Sequence, residues 1–95
     1  MIVLQIEHPV QSFEEWKKVF ESDPIDRKKS GVRRYTIFRP INHSTHVIID
    51  LEFENLELAE NALAALQKVW GQVEGKVIMG PKTRLLQIEE EKELQ

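Results

Sequence analysis

Two periods of apolar residues run along this chain, one of two residues and one of three to four, and together they predict six main elements. Ile2, Val3, Leu4 and Ile6 form a β-favouring run that stops at His8-Pro9. Proline gives no N–H to a ladder and turns the residue before it away from helix. Ser12 stands three residues before Glu15, the spacing of a capping box. Phe13, Trp16, Val19 and Phe20 follow as one stripe and predict the first helix. In the next segment Asp23 suits an N-cap, Pro24 the first helical position and Gly31 a left-handed C-cap. Arg27, Lys28 and Lys29 fall near the carbonyl end, so a further helix of one to two turns is expected over Asp23 to Gly31.

Residues 32–39 read as a strand, with Val32, Arg34, Thr36 and Phe38 on one face and Arg33, Tyr35, Ile37 and Arg39 on the other. A turn over 40–44 leads to the clearest alternation in the chain. There Val47, Ile49, Leu51 and Phe53 line one face, and His46, Ile48, Asp50 and Glu52 the other. The two strands predict an antiparallel hairpin. Asn55 is placed to cap a second helix, in which Ala59, Ala62, Leu63, Leu66, Val69 and Trp70 recur at three and four and Val73 extends the stripe. Its alanines imply a close approach to whatever it packs on. Gly75 and Gly80-Pro81 punctuate the exit, and residues 83–89 read as the last strand. Residues 1–89 are taken as a single domain and 90–95 as an acidic tail.

Strand, helix, strand, strand, helix, strand is the order of a ferredoxin-like α+β fold with a four-stranded antiparallel sheet. Each helix offers one apolar stripe, so the pair covers one sheet face. Ile48 and apolar residues of the flanking strands remain on the other, which favours a two-fold dimer. Ninety-five residues suit one such domain with a modest core. Thirteen Lys and Arg against sixteen Asp and Glu argue against nucleic acid, whose binders carry a basic surplus. The one basic cluster, Arg27, Lys28, Lys29, Arg33 and Arg34, has Asp23 and Asp26 beside it. There is no cysteine, and so no disulfide or thiolate chemistry. Residues 1–9 read as a strand rather than a signal peptide, and no apolar run approaches the ~18–20 residues of a membrane span. The expectation is a cytoplasmic homodimer that engages neither nucleic acid nor membrane.

In element order, over nearly its whole length, the chain resembles the dimeric α+β barrel superfamily, which includes antibiotic-biosynthesis-type monooxygenases, haem-degrading enzymes and muconolactone isomerases. The runs Asp23-Pro24-x-Asp26-Arg27, Ser30-Gly31-Val32-Arg33 and Ile49-Asp50-Leu51-Glu52-Phe53 resemble a group of small bacterial proteins within it. The resemblance implies two ferredoxin-like subunits with their sheets pressed together into a barrel. It also implies a substrate between helices and sheet, with Trp70 in the place of a second-helix tryptophan that takes part in related enzymes. Haem degraders add an asparagine on the first strand and a histidine near the second helix. Here the first strand offers Gln5, Glu7 and His8, and no histidine follows His46, so the resemblance implies no haem.

The candidate chemistry lies in two groups of side chains. Asp50 and Glu52 are two apart on a strand, ~6.6 Å, and Arg34 on the neighbouring strand is the natural cation for them. One reading gives a polar pocket in which Asp50 or His46 moves a proton and Arg34 holds an anionic oxygen. The more economical one gives an interfacial salt bridge that sets dimer register. His43 and His46 lack third and fourth ligands, and His46 and Asp50 are ~13 Å apart on an extended strand, so no metal is expected. Trp16, Phe20, Tyr35 and Trp70 form the second group, which can line a cavity for a flat apolar ligand or simply fill the core. Two functions stand open. One is a cofactor-free, monooxygenase-like enzyme with Trp16, Tyr35, Trp70 and Arg34 binding an aromatic substrate. The other is a non-enzymatic dimeric ligand-binding or interaction module.

Overall fold

The computed structural model describes residues 1–42, 45–73 and 80–95. Its elements are β1 (Ile2–Pro9), α1 (Phe13–Glu21), β2 (Arg34–Phe38), β3 (His46–Phe53), α2 (Leu56–Val73) and β4 (Lys82–Gln87). The strands form one sheet in the order β2-β3-β1-β4, antiparallel at every pairing. This is the ferredoxin-like α+β arrangement expected from the order of elements.

The register fixes which residues share a face. Leu4 lies opposite Leu51 and Leu85, and Ile6 opposite Ile49 and Thr83. Tyr35 and Ile37 face Leu51 and Ile49 across the other pairing. This is the face that the helices cover. Val47, Ile49, Leu51 and Phe53 are buried on it, as their alternation requires, together with Leu4 and Ile6. Trp16 closes the core from α1, and Ala59 and Ala62 bring α2 close, since neither carries bulk beyond a methyl group.

Local signals account for the helix starts. The Ser12 hydroxyl accepts the Glu15 N–H at 3.3 Å, while the Glu15 carboxylate makes no return bond to the Ser12 N–H. Only half of the capping box is therefore built with the expected partner. The Asn55 side chain caps α2 by accepting the Leu58 N–H at 2.9 Å.

The helix expected over Asp23 to Gly31 is absent, and a run of turns replaces it. Asp23 and Asp26 take φ of 55° and 52°, a left-handed conformation that no right-handed helix accepts. Their carboxylates hold the turns instead, Asp23 accepting the Arg27 N–H at 2.8 Å and Asp26 the Lys29 N–H at 3.4 Å. Gly31 does take the left-handed conformation, with φ of 93°. The same turns shorten β2, because the Val32 N–H bonds back to the Arg27 carbonyl at 2.9 Å. The last strand starts and ends earlier than its composition suggested. His43, Ser44, Gly75 and the side chain of Val73 lie outside the described residues.

Candidate functional site

Between the covered sheet face and the helices lies a cleft of about 60 Å³. Its walls include Ile49 and Leu51 of the sheet, Trp16 and Phe20 of α1, Trp70 of α2, and Arg27 of the turn segment. Helical spacing stacks the rings of α1: Phe13 and Trp16 have centres 5.7 Å apart, and Trp16 and Phe20 5.2 Å. Tyr35, on the edge strand β2, meets Phe20 edge-on at 5.0 Å.

Arg27 owes its place to the left-handed turns. Its Nη1 donates to the Phe20 carbonyl at 2.6 Å, at the end of α1, and lies 3.4 Å from the Asp23 carboxylate. The guanidinium sits 4.0 Å from the centre of the Phe20 ring and 5.1 Å from that of Tyr35, a double cation–π contact. His8 lies at the far end of the covered face, fully buried, its ring 6.0 Å from Trp16 in an edge contact. Its Nδ1 donates to the Pro9 carbonyl at 3.1 Å. Burial pushes the imidazole's pKa down, with that hydrogen bond opposing, so the neutral form is favoured.

The open face is a lattice of paired polar groups. Arg84 donates to Gln5 at 2.8 Å, and Gln5 in turn donates to Asp50 at 2.9 Å, a chain that crosses β4, β1 and β3. Arg34 holds Glu52 through two nitrogens at 2.8 and 3.3 Å and lies 3.6 Å from Glu91. The hydrogen bonds to Glu52 push the Arg34 pKa up. His46 bonds Glu7 at 2.8 Å, which holds the Glu7 carboxyl below the usual carboxylate range.

The residues singled out from the sequence therefore fall in three places. Trp16 and Trp70 line the cleft. Asp50 and His46 lie on the opposite side of the sheet, engaged by Gln5 and Glu7. Arg34 and Tyr35 border a shallow hollow of about 480 Å³ at the β2 edge, together with Arg27, Lys28 and Arg33. Asp50 and Arg34 share a face, but Glu52 is the carboxylate that Arg34 grips. Among the described residues no three His, Cys, Asp or Glu side chains are grouped to hold a metal ion. No helix among them is long and apolar enough to cross a membrane.

Sequence reading passed over two residues of this region. Arg27 falls at the end of the helix that Asp23 and Asp26 suggest, and no local signal places it against Phe20. His8 continues the alternation Ile2, Leu4, Ile6, and that period alone places it on the covered face.

No family model matches the chain, and no curated protein matches it. Solved structures do match, and the three that follow do so at identities that carry the fold alone. SnoaB, a cofactor-independent oxygenase from Streptomyces nogalater, superposes with a TM-score of 0.74 at 13% identity, over 95% of this chain and 94% of that one. A dimeric ferredoxin-like protein from an uncultured marine organism gives 0.67 at 13% identity, over 96% and 97%. An antibiotic biosynthesis monooxygenase gives 0.66 at 10% identity, over 93% and 98%. The chain thus has the ferredoxin-like α+β fold of antibiotic-biosynthesis-monooxygenase-like proteins, some of them dimeric.

Proposed function

We propose that the protein is a homodimer that holds a small, flat aromatic molecule in the cleft between helices and sheet. It acts on that molecule as a monooxygenase-like enzyme without metal or flavin. The observation that carries this reading is the cleft lining: the rings of Trp16, Phe20 and Trp70 against aliphatic sheet residues, with Arg27 the one charged side chain among the described lining residues. Apolar walls with one placed polar group suit a ring that must be oriented. An electron-rich phenol or enol supplies the electrons for dioxygen itself, so the protein need only position it and favour its negative charge. The cleft is smaller than the roughly 150 Å³ cavity that encloses benzene, so a ring is taken up only as the walls part around it. The uncovered face supports the homodimer, since Val3, Phe38, Ile48 and Leu86 lie there among the paired charges.

Calorimetric titration with 1-naphthol and an oxygen electrode with hydroxylated naphthalenes test the reading. Binding is expected, with oxygen uptake above the protein-free rate, and both are expected to weaken at least tenfold in Trp70→Ala. No binding of any ring compound overturns it. A second reading, a ligand-binding module without catalysis, is favoured by one observation: no carboxylate or imidazole stands among the described lining residues. Binding without oxygen uptake is its outcome.

A further inference from the structure

The apolar cleft and the surface hollow at the β2 edge share Arg27 as a wall. The hollow is lined by four cations, Arg27, Lys28, Arg33 and Arg34, against one carboxylate, Asp23. Two of those cations are engaged elsewhere, Arg34 by Glu52 and Arg33 by Glu54. Arg27 is different. The contacts that anchor it run through Nη1 alone, and a guanidinium carries five N–H donors. Its guanidinium carbon lies close to the Phe20 and Tyr35 rings, and its remaining N–H donors have the fork geometry that grips a carboxylate. Lys28 lies beside it and is exposed, adding positive field without holding the anion.

We infer that the ligand is an aromatic carboxylate, its ring in the cleft and its carboxylate in the basic hollow against Arg27. This rests on the ring-binding reading above and names the class of molecule that the cleft takes. Position explains the selectivity. A neutral ring gains only the apolar contacts, whereas an anion of the same shape adds a charge-assisted hydrogen bond at the one point where the two hollows meet.

Calorimetric titration of the full chain with 2-naphthoate and its neutral analogue 2-naphthalenemethanol tests this. The expected result is about ten- to hundredfold tighter binding of the carboxylate, weakening as salt is raised. In Arg27→Gln the two compounds are expected to bind alike, and Arg27→Lys is expected to keep part of the preference. Equal affinities in the parent protein, or a preference that survives Arg27→Gln, overturn the inference and leave ring binding intact. Binding of neither compound overturns the ring-binding reading itself. If Arg27→Gln loses its native circular dichroism, Arg27→Met, which keeps an apolar side chain against Phe20, replaces it. A several-fold loss for naphthoate alone then supports the inference, and no change overturns it.

Discussion

On the covered face of the sheet Leu4, Val47, Ile49, Leu51 and Phe53 are at most 3% exposed, while on the open face Phe38 and Leu86 keep 44% and 40% of their surface. The same strands build both faces, and one residue's step along β1 passes from one to the other. On the covered side the favourable term is apolar burial, at about 25 cal/mol per Å², and the alanines of α2 let the layers close. On the open side the side chains are joined across strands in pairs whose individual contributions are small. One face holds the subunit together. The other is left uncovered.

That division can be broken experimentally, beginning with its strongest side. Phe53→Ala removes a fully buried ring and is expected to cost about 3–5 kcal/mol, read as a shift of the denaturation midpoint at unchanged slope. A loss below about 1 kcal/mol would show that the covered face is not the principal core. Ile48→Arg places a charge at the centre of the open face and is expected to turn the proposed dimer into a monomer in sedimentation velocity, with native circular dichroism. A variant that stays dimeric would move the interface elsewhere.

A gentler contrast comes from pH, because adjacent residues of β1 point to opposite faces. His8, on the covered side, has its pKa lowered by burial. As pH falls below the ordinary imidazole value of ~6.5, the unfolded chain takes up a proton that the folded chain refuses. Stability is therefore expected to fall by up to about 1.4 kcal/mol per pH unit until the folded pKa is reached. Glu7, on the open side, is lowered by its hydrogen bond from His46. Its contribution is present above the ordinary carboxylate range and is lost as pH falls through its folded pKa, so it fades at lower pH than the His8 effect begins. Denaturation between pH 7 and 5 should show a slope that His8→Leu flattens and Glu7→Gln leaves in place. An unchanged slope in His8→Leu would assign the effect to another group.

The fold was legible because its signals are local. Alternation in β3 sorted Val47 from Ile48 before any pairing was known, and the stripe from Ala59 to Trp70 predicted both the helix and its close approach. Trp16 and Trp70 were legible for the same reason, each lying on the inward stripe of its helix. The Arg34–Glu52 pair was legible as a cation beside the two carboxylates of β3, but the Gln5 partner of Asp50 was not, since it depends on which residue of the next strand stands opposite, and a shift of one position exchanges the faces. Arg27 escaped for a third reason. Asp23 and Asp26 look like helix-start residues, and only their left-handed conformation shows that the chain turns back over Phe20.

The two outer strands of the sheet are β2 and β4, and both carry positive charge, Arg34 on one and Lys82 and Arg84 on the other. At β2 Glu52 already neutralises Arg34, but two copies meeting through β4 would set Lys82 and Arg84 against their counterparts along a row of backbone groups that could otherwise zip together. Charge thereby disfavours growth through that rim. A face-to-face pair closes on itself, whereas rim-to-rim addition would go on recruiting copies into a fibre.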